Sequence, residues 1–161
     1  MSRITPCLWF NYQAEEAAAF YTSLLPNSRI TQVTRSPADN PSTPAGAVLT
    51  VEFTLDGQPF VGLNGGPQFP FTEAVSFTIH CDDQAEVDRL WETLSKGGSP
   101  GPCGWIKDRF GLSWQIVPRV LEKLMKSPDR EAAARAMQAM LKMGKLDIAA
   151  LQRAAEGRPG A

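Results

Sequence analysis

A strand feeding an amphipathic helix occurs twice in this chain, 70 positions apart, and no other feature restricts its fold so strongly. The first copy runs from Ile4 to Leu25 and puts Ala17, Phe20, Tyr21 and Leu24 on one helical face. The second runs from Val75 to Leu94 and puts Val87, Leu90, Trp91 and Leu94 there. The i, i+3, i+4, i+7 spacing is that of a helix packed on a sheet. Two such units can set their sheets around a shared cleft, and clefts between equivalent halves suit small ligands.

Around these copies the pattern extends to further strands. Arg29 to Arg35 alternates as a strand, and Ser36 to Gly46, with Pro37, Pro41 and Pro44, reads as an exposed, mobile loop. Ala47 to Leu55 and Pro59 to Leu63 read as strands joined by the hairpin turn Asp56-Gly57. Unit one is thus β-α-β-β-β, and Gly65 to Thr72 links it to unit two. There Val75, Phe77 and Ile79 alternate with Ser76, Thr78 and His80, Asp83 and Glu86 make a capping-box pair, and Gly97-Gly98 ends the helix. Cys103 to Lys107 and Leu112 to Val117 are the remaining strands, around a turn at Asp108 to Gly111, where Asp108 serves the turn. Only 20 residues separate Leu94 from Gln115, against 39 between Leu24 and Asn64, so unit two loses or shortens a strand.

Beyond Pro118 the composition turns to Ala, Met, Leu, Lys and Arg, a helical tail. Ser127-Pro128 reads as an N-cap with proline at the first helical position, and Asp147 as a second cap, flanked by Leu146 and Leu151 at the positions of a hydrophobic staple. Ala133, Ala136, Met137, Met140 and Leu141 form an apolar stripe suited to core or dimer contact. Lys123, Lys126, Arg130, Arg135, Lys142 and Lys145 read as a solvated face. The expected fold class is α+β: paired βαβββ modules in one domain over residues 1–118, with module one over 2–66 and module two over 73–118. A helical extension follows over 119–161.

A length of 161 residues with 43% hydrophobic content supports a core without staples. The net charge of -1 gives no field for a phosphate backbone or an anionic membrane, so neither nucleic acid nor membrane is an expected partner. The start MSRITPCLWF lacks the pattern of a secretory signal, and a cytoplasmic protein is expected. Cys7, Cys81 and Cys103 are odd in number and form no CxxC pair, so three reduced thiols are expected. Cys103 lacks a neighbouring base and reads as structural. His80 is the one histidine, and it can act as a general base if Asp82 or Asp83 orients it. The blander reading is an exposed histidine before a helix cap.

The duplicated unit, Phe20-Tyr21 in its first helix and the segment DRFGLSWQI over 108–116 resemble the vicinal oxygen chelate superfamily, which includes glyoxalase I, extradiol dioxygenases and fosfomycin-resistance proteins. Within it ITPCLWF, LNGGP, CGWIKDRFGLSWQIVP and MLKMGKLDIAALQRA are similar to the PhnB-like branch, often labelled 3-demethylubiquinone-9 3-methyltransferase. The resemblance implies a glyoxalase-like fold and four metal-ligand slots, two per module. These fall at Pro6 and Asn64 and at Ser76 and Gln115, the second of each pair three residues before Pro67 and Pro118. None of these side chains supplies the imidazole, thiolate or carboxylate that zinc, iron or manganese sites use.

Pleating gives a cleft lined by Leu8, Phe10, Phe60, Asn64, Ser76, Thr78, His80, Ser113 and Gln115, with Val61, Leu63, Leu112, Trp114 and Ile116 packed inward. The expectation is a homodimer that binds a small, partly apolar metabolite there, with no tightly bound metal and no cofactor. A methyl-donor site of the GxGxxG type is missing, and LNGGP reads as a turn. Two alternatives stand. One is an enzyme, either a metal-assisted glyoxalase or dioxygenase type or the labelled methyltransferase. The other is a structural or regulatory homodimer.

Overall fold

A computed structural model describes residues 2–158, so Met1 and the last three positions of the helical tail lie outside the described residues. The chain divides into two compact units, Met1–Phe71 and Thr72–Ala161.

Unit one runs β1 (Cys7–Phe10), α1 (Ala14–Thr22), β2 (Arg29–Arg35), β3 (Val48–Leu55) and β4 (Gln58–Asn64). Its sheet has the order β1-β4-β3-β2, with β1 parallel to β4 and the other pairs antiparallel. Ala14, Ala17, Ala18 and Tyr21 are the buried face of α1, so Ala17, Tyr21 and the buried Leu24 of the expected stripe hold, while Phe20 is only half-buried. The helix stops earlier than Pro26 requires: Ser23 and Leu24 donate to the Phe20 and Tyr21 carbonyls, a tightened last turn. Asp56 (φ 47) and Gly57 (φ 79) both take the positive φ of a two-residue hairpin, as the sequence predicts.

The proline-rich connection from Ser36 to Gly46 is organised around Asn40. Its Oδ1 accepts from the Ser42 and Thr43 amides and its Nδ2 donates to the Ser36 and Thr43 hydroxyls, and both Ser36 and Thr43 are buried. Turn-forming side chains thus close a loop that composition alone presents as open.

Unit two runs β5 (Ser76–Cys81), α2 (Gln84–Ser95), β6 (Ser99–Pro100), β7 (Trp105–Lys107) and β8 (Ser113–Pro118), in sheet order β5-β8-β7-β6. The shortened strand is β6, with two residues. Asp83 caps α2 by accepting from the Glu86 amide at 2.8 Å, while Glu86 reaches back to the Asp82 amide at 2.9 Å, one residue before the cap itself. Asp108 is buried, its Oδ1 accepting from the Phe110 and Leu112 amides and its Oδ2 from the Trp114 indole at 2.9 Å. It therefore anchors the turn to the sheet as well as shaping it.

The tail forms α3 (Arg119–Met125), α4 (Arg130–Met140) and α5 (Ile148–Ala155) and packs within unit two. Leu121, Leu146 and Leu151 are its buried centre, which bears out the staple around Asp147, and Asp147 caps α5 through the Ala150 amide. The cap of α4 is Asp129 rather than Ser127, whose hydroxyl instead accepts from the Asp129 amide. The expected stripe divides: Ala133 and Ala136 are buried, whereas Met137 and Leu141 are exposed. The basic residues are not simply solvated. Arg130 donates to the Met125 and Ser127 carbonyls, Arg135 to those of Ala154 and Ala155, and Lys145 pairs with Asp88 at 2.7 Å. Cations at helix C-termini satisfy carbonyls that have no partner within the helix.

Gln84 fastens this tail to α2. Its Nε2 donates to the Leu146 carbonyl at 3.0 Å and to Asp88, and its Oε1 accepts from the Ile148 amide at 2.8 Å. From the other side, the Cys103 and Gly104 amides donate to the Met143 and Gly144 carbonyls, each at 2.8 Å. A Cβ on Gly104 (φ +82) would lie 2.9 Å from the Ile116 carbonyl oxygen and 3.0 Å from Leu146 Cδ1, so only glycine fits. Leu146→Ala is expected to cost about 2–5 kcal/mol in urea unfolding, the range for truncating a fully buried leucine. Burial pushes the Cys81 thiol up from 9.0 to about 12. A thiol reagent should therefore titrate Cys7 and Cys103 in the folded chain and Cys81 only after denaturation. Because the unfolded thiol ionises first, this group's contribution to stability is present below pH 9 and falls as pH rises toward 12.

Candidate functional site

Strand register decides which side chains each sheet offers to a ligand, because neighbours across a ladder share a face. In unit two the parallel pairs are Ser76 with Ser113, Phe77 with Trp114, Thr78 with Gln115 and Ile79 with Ile116. Ile79, Trp114, Ile116 and Ile106 are buried on the side of α2, with its buried Val87, Leu90 and Leu94. Ser76, Thr78, His80, Ser113 and Gln115 lie on the opposite face, as the pleat predicts. Gln115 donates from Nε2 to the Ser76 hydroxyl at 3.0 Å, so the two degenerate slots of this unit touch each other.

In unit one the expectation is corrected. Leu8 pairs with Gly62 and Phe10 with Asn64, and all four, with Phe60, are buried on the α1 side of the sheet. A Cβ on Gly62 would lie 3.2 Å from that of Ala14, and the Phe10 ring lies 6.4 Å from that of Tyr21. Asn64 accepts from the Ala14 amide at 2.9 Å and donates to the Val48 carbonyl at 3.0 Å. It caps α1 from a neighbouring strand, because Gln13 at the N-cap position makes no side-chain bond. Leu8, Phe10, Phe60 and Asn64 are therefore core, and Cys7, Trp9, Val61 and Leu63 occupy the other face.

The cause is a one-residue slip. In packing role Leu8 matches Phe77 and Phe10 matches Ile79, a separation of 69 rather than 70, and odd and even exchange faces. The position in unit one equivalent to Ser76 is Cys7, not Pro6, and that equivalent to Gln115 is Leu63, not Asn64. Cys7 together with Leu63, like Ser76 together with Gln115, does not make a divalent-metal donor set. Burial further raises the Cys7 thiol. Among the described residues no three His, Cys, Asp or Glu side chains converge as metal ligands. These residues thus do not fit the metal that the resemblance implies.

His80 pairs through Nδ1 with Glu122 of α3, not with Asp82 or Asp83, and Asp82 binds Arg119 at 2.9 Å. Both contacts tie the tail to the end of β5. The turn LNGGP is clasped by Trp9: its indole donates to the Gly66 carbonyl at 2.8 Å, and a Cβ on Gly65 would fall 2.2 Å from its ring. These glycines admit an aromatic ring, so they are not arranged as a phosphate-cradling loop.

Sequence reasoning missed a cavity of about 260 Å³ on the same face of unit two, lined by Glu73, Pro100, Pro102, Trp105, Lys107 and Ser113 among others. Lys107 pairs in register with Ser113, and Trp105 with Gln115. Given the turn at Asp108 to Gly111, that pairing is the signal that finds Trp105 and Lys107. Glu73 lies in the turn just before β5 and carries no such signal; it forms an ion pair with Lys107, whose hydrogen bond and charge hold the Glu73 carboxyl below its ordinary range.

Each unit is built as βαβββ, with a four-stranded sheet whose one parallel ladder lies at its edge, β1 on β4 and β5 on β8. Residues 2–117 match the family described as 3-demethylubiquinone-9 3-methyltransferase, and the chain belongs to that family. A PhnB protein of Bacillus cereus with the same methyltransferase description is 32% identical, covering 73% of this chain and 99% of its own, with a TM-score of 0.64. A Pseudomonas aeruginosa protein is 23% identical over 73% of this chain and 98% of its own, with a TM-score of 0.55. The fosfomycin resistance protein FosX of Listeria monocytogenes shares the fold at 12% identity, over 73% and 93% of the two chains, with a TM-score of 0.52. No curated protein sequence matches. Among the described residues no helix is long and apolar enough to cross a membrane.

Asn64→Leu removes an acceptor and a donor that both serve buried backbone, and is expected to cost about 1–3 kcal/mol in urea unfolding. Asn64→Asp keeps the acceptor at the helix N-terminus but sets a carboxylate oxygen against the Val48 carbonyl, so it should destabilise as well.

Proposed function

We propose that this protein binds a small, partly apolar metabolite on the face of β5 and β8 that is turned away from α2, works as a homodimer, and holds no tightly bound metal. The supporting observation is the Gln115 to Ser76 hydrogen bond: a neutral amide and a hydroxyl occupy positions where metal-dependent relatives need charged or imidazole donors. Thr78 lies beside Gln115, and Ser113 beside Ser76. Polar points of this kind orient an organic ligand by hydrogen bonds.

The second reading is the methyl transfer in the family's description. It requires a methyl-donor site, and the connection from β1 to α1 contains no glycine, while the Ala14 amide that opens α1 is taken by Asn64. Donor binding thus separates the two readings.

Native mass spectrometry of protein purified without chelator is expected to give a dimer that carries no stoichiometric divalent ion. A retained or added small organic ligand should be lost in Gln115→Leu, with the dimer intact. Stoichiometric zinc, iron or manganese would overturn the metal-free reading, and saturable binding of S-adenosylmethionine would favour methyl transfer.

A further inference from the structure

We infer that the cavity beside β6 and β7 selects a small carboxylate with a flat apolar body, and that Glu73 is a built-in competitor occupying the carboxylate's place on Lys107. The inference rests on the open-face binding reading and adds the chemical class of the ligand.

Four observations meet here. Ser113, Lys107 and Ser99 follow one another across three adjacent strands in register, and Ser113 and Lys107 both line the cavity. The Ser113 residue is 2% exposed, and its hydroxyl has no hydrogen-bond partner among the described residues. A buried hydroxyl is ordinarily satisfied, and an orphan at a cavity wall is what a ligand atom would satisfy. A serine hydroxyl also turns among staggered positions, so it can swing to an incoming oxygen. Lysine offers three donors and no acceptor, so Lys107 and the Ser113 hydroxyl together call for an oxygen acceptor bearing negative charge.

The third observation is that a carboxylate already sits on Lys107, that of Glu73. The two side chains are 62% and 40% exposed, and an ion pair so open to water is readily exchanged for another of the same kind. Glu73 lies outside any strand or helix, so its side chain can leave without breaking the sheet. Fourth, apart from Ser99 the remaining wall is largely apolar, with Trp105, Pro100 and Pro102. A planar hydrocarbon body suits that wall, and a volume of about 260 Å³ accommodates a single ring. A cationic ligand would have to use Glu73 alone and would leave Lys107 unpaired beside it.

Benzoate and its neutral isostere benzamide are the probes, titrated calorimetrically into the full-length protein at fixed ionic strength. Benzoate is expected to bind saturably. Glu73→Gln should tighten it by up to about fivefold, the worth of a surface pair. Lys107→Met should weaken it by about tenfold or more, and Ser113→Ala by a smaller factor. Glu92→Gln, which makes the same charge change on the exposed face of α2, should leave it unaltered. Benzamide should bind more weakly and ignore Glu73→Gln. Equal affinity for both probes, no tightening in Glu73→Gln, or no benzoate binding to either protein would overturn the carboxylate assignment. If an organic ligand lost in Gln115→Leu is nevertheless found, the open-face reading survives that failure; if none is found, both fall.

Discussion

Everything that can be said about a ligand on this protein depends on the parity of two parallel strand pairs. β1 on β4 and β5 on β8 form the one parallel ladder of each sheet, at its edge, and each helix covers one side of its ladder. Because a strand alternates strictly, one residue of register converts a wall of the core into a wall of the site. Asn64 shows the force of this. As a ligand it would be a weak amide donor; as core it supplies the cap that α1 lacks.

The chemistry follows from that parity. On the open face of unit two the sequence supplies hydroxyls, an amide, an indole and one ammonium, groups that hold and orient but do not polarise as a metal does. His80, the one side chain suited to proton transfer near neutral pH, is bound to Glu122 of the tail. A fold does not by itself name a reaction, so function has to be argued from these donors.

Much of the fold was legible because helical stripes and the Asp56-Gly57 hairpin are local signals of strong periodicity. The site was half legible. In unit two Ser76, Thr78 and Gln115 alternate with large apolar residues, so their face could be read directly. In unit one Leu8, Phe10 and Phe60 are apolar like their neighbours Trp9, Val61 and Leu63, and alternation gives no preference; the repeat spacing was then used to break the tie, and it was off by one residue. Phe20 and Trp91, both half-buried, drew that spacing toward the wrong phase. The ion pair of Glu73 was invisible because a carboxylate in a turn has no period to place it.

The helical tail lies beyond residue 117, where the family match ends, yet it packs within the second unit through Gln84, the amides of Cys103 and Gly104, and a seat that only glycine allows. Segments that share buried apolar groups and exchange backbone hydrogen bonds open together, as one cooperative block. The end of the family match and the folding boundary are therefore different places in this chain. Opening of α5 is coupled to the strands that carry Lys107 and Ser113, so the stability of that face is set in part by residues beyond the match.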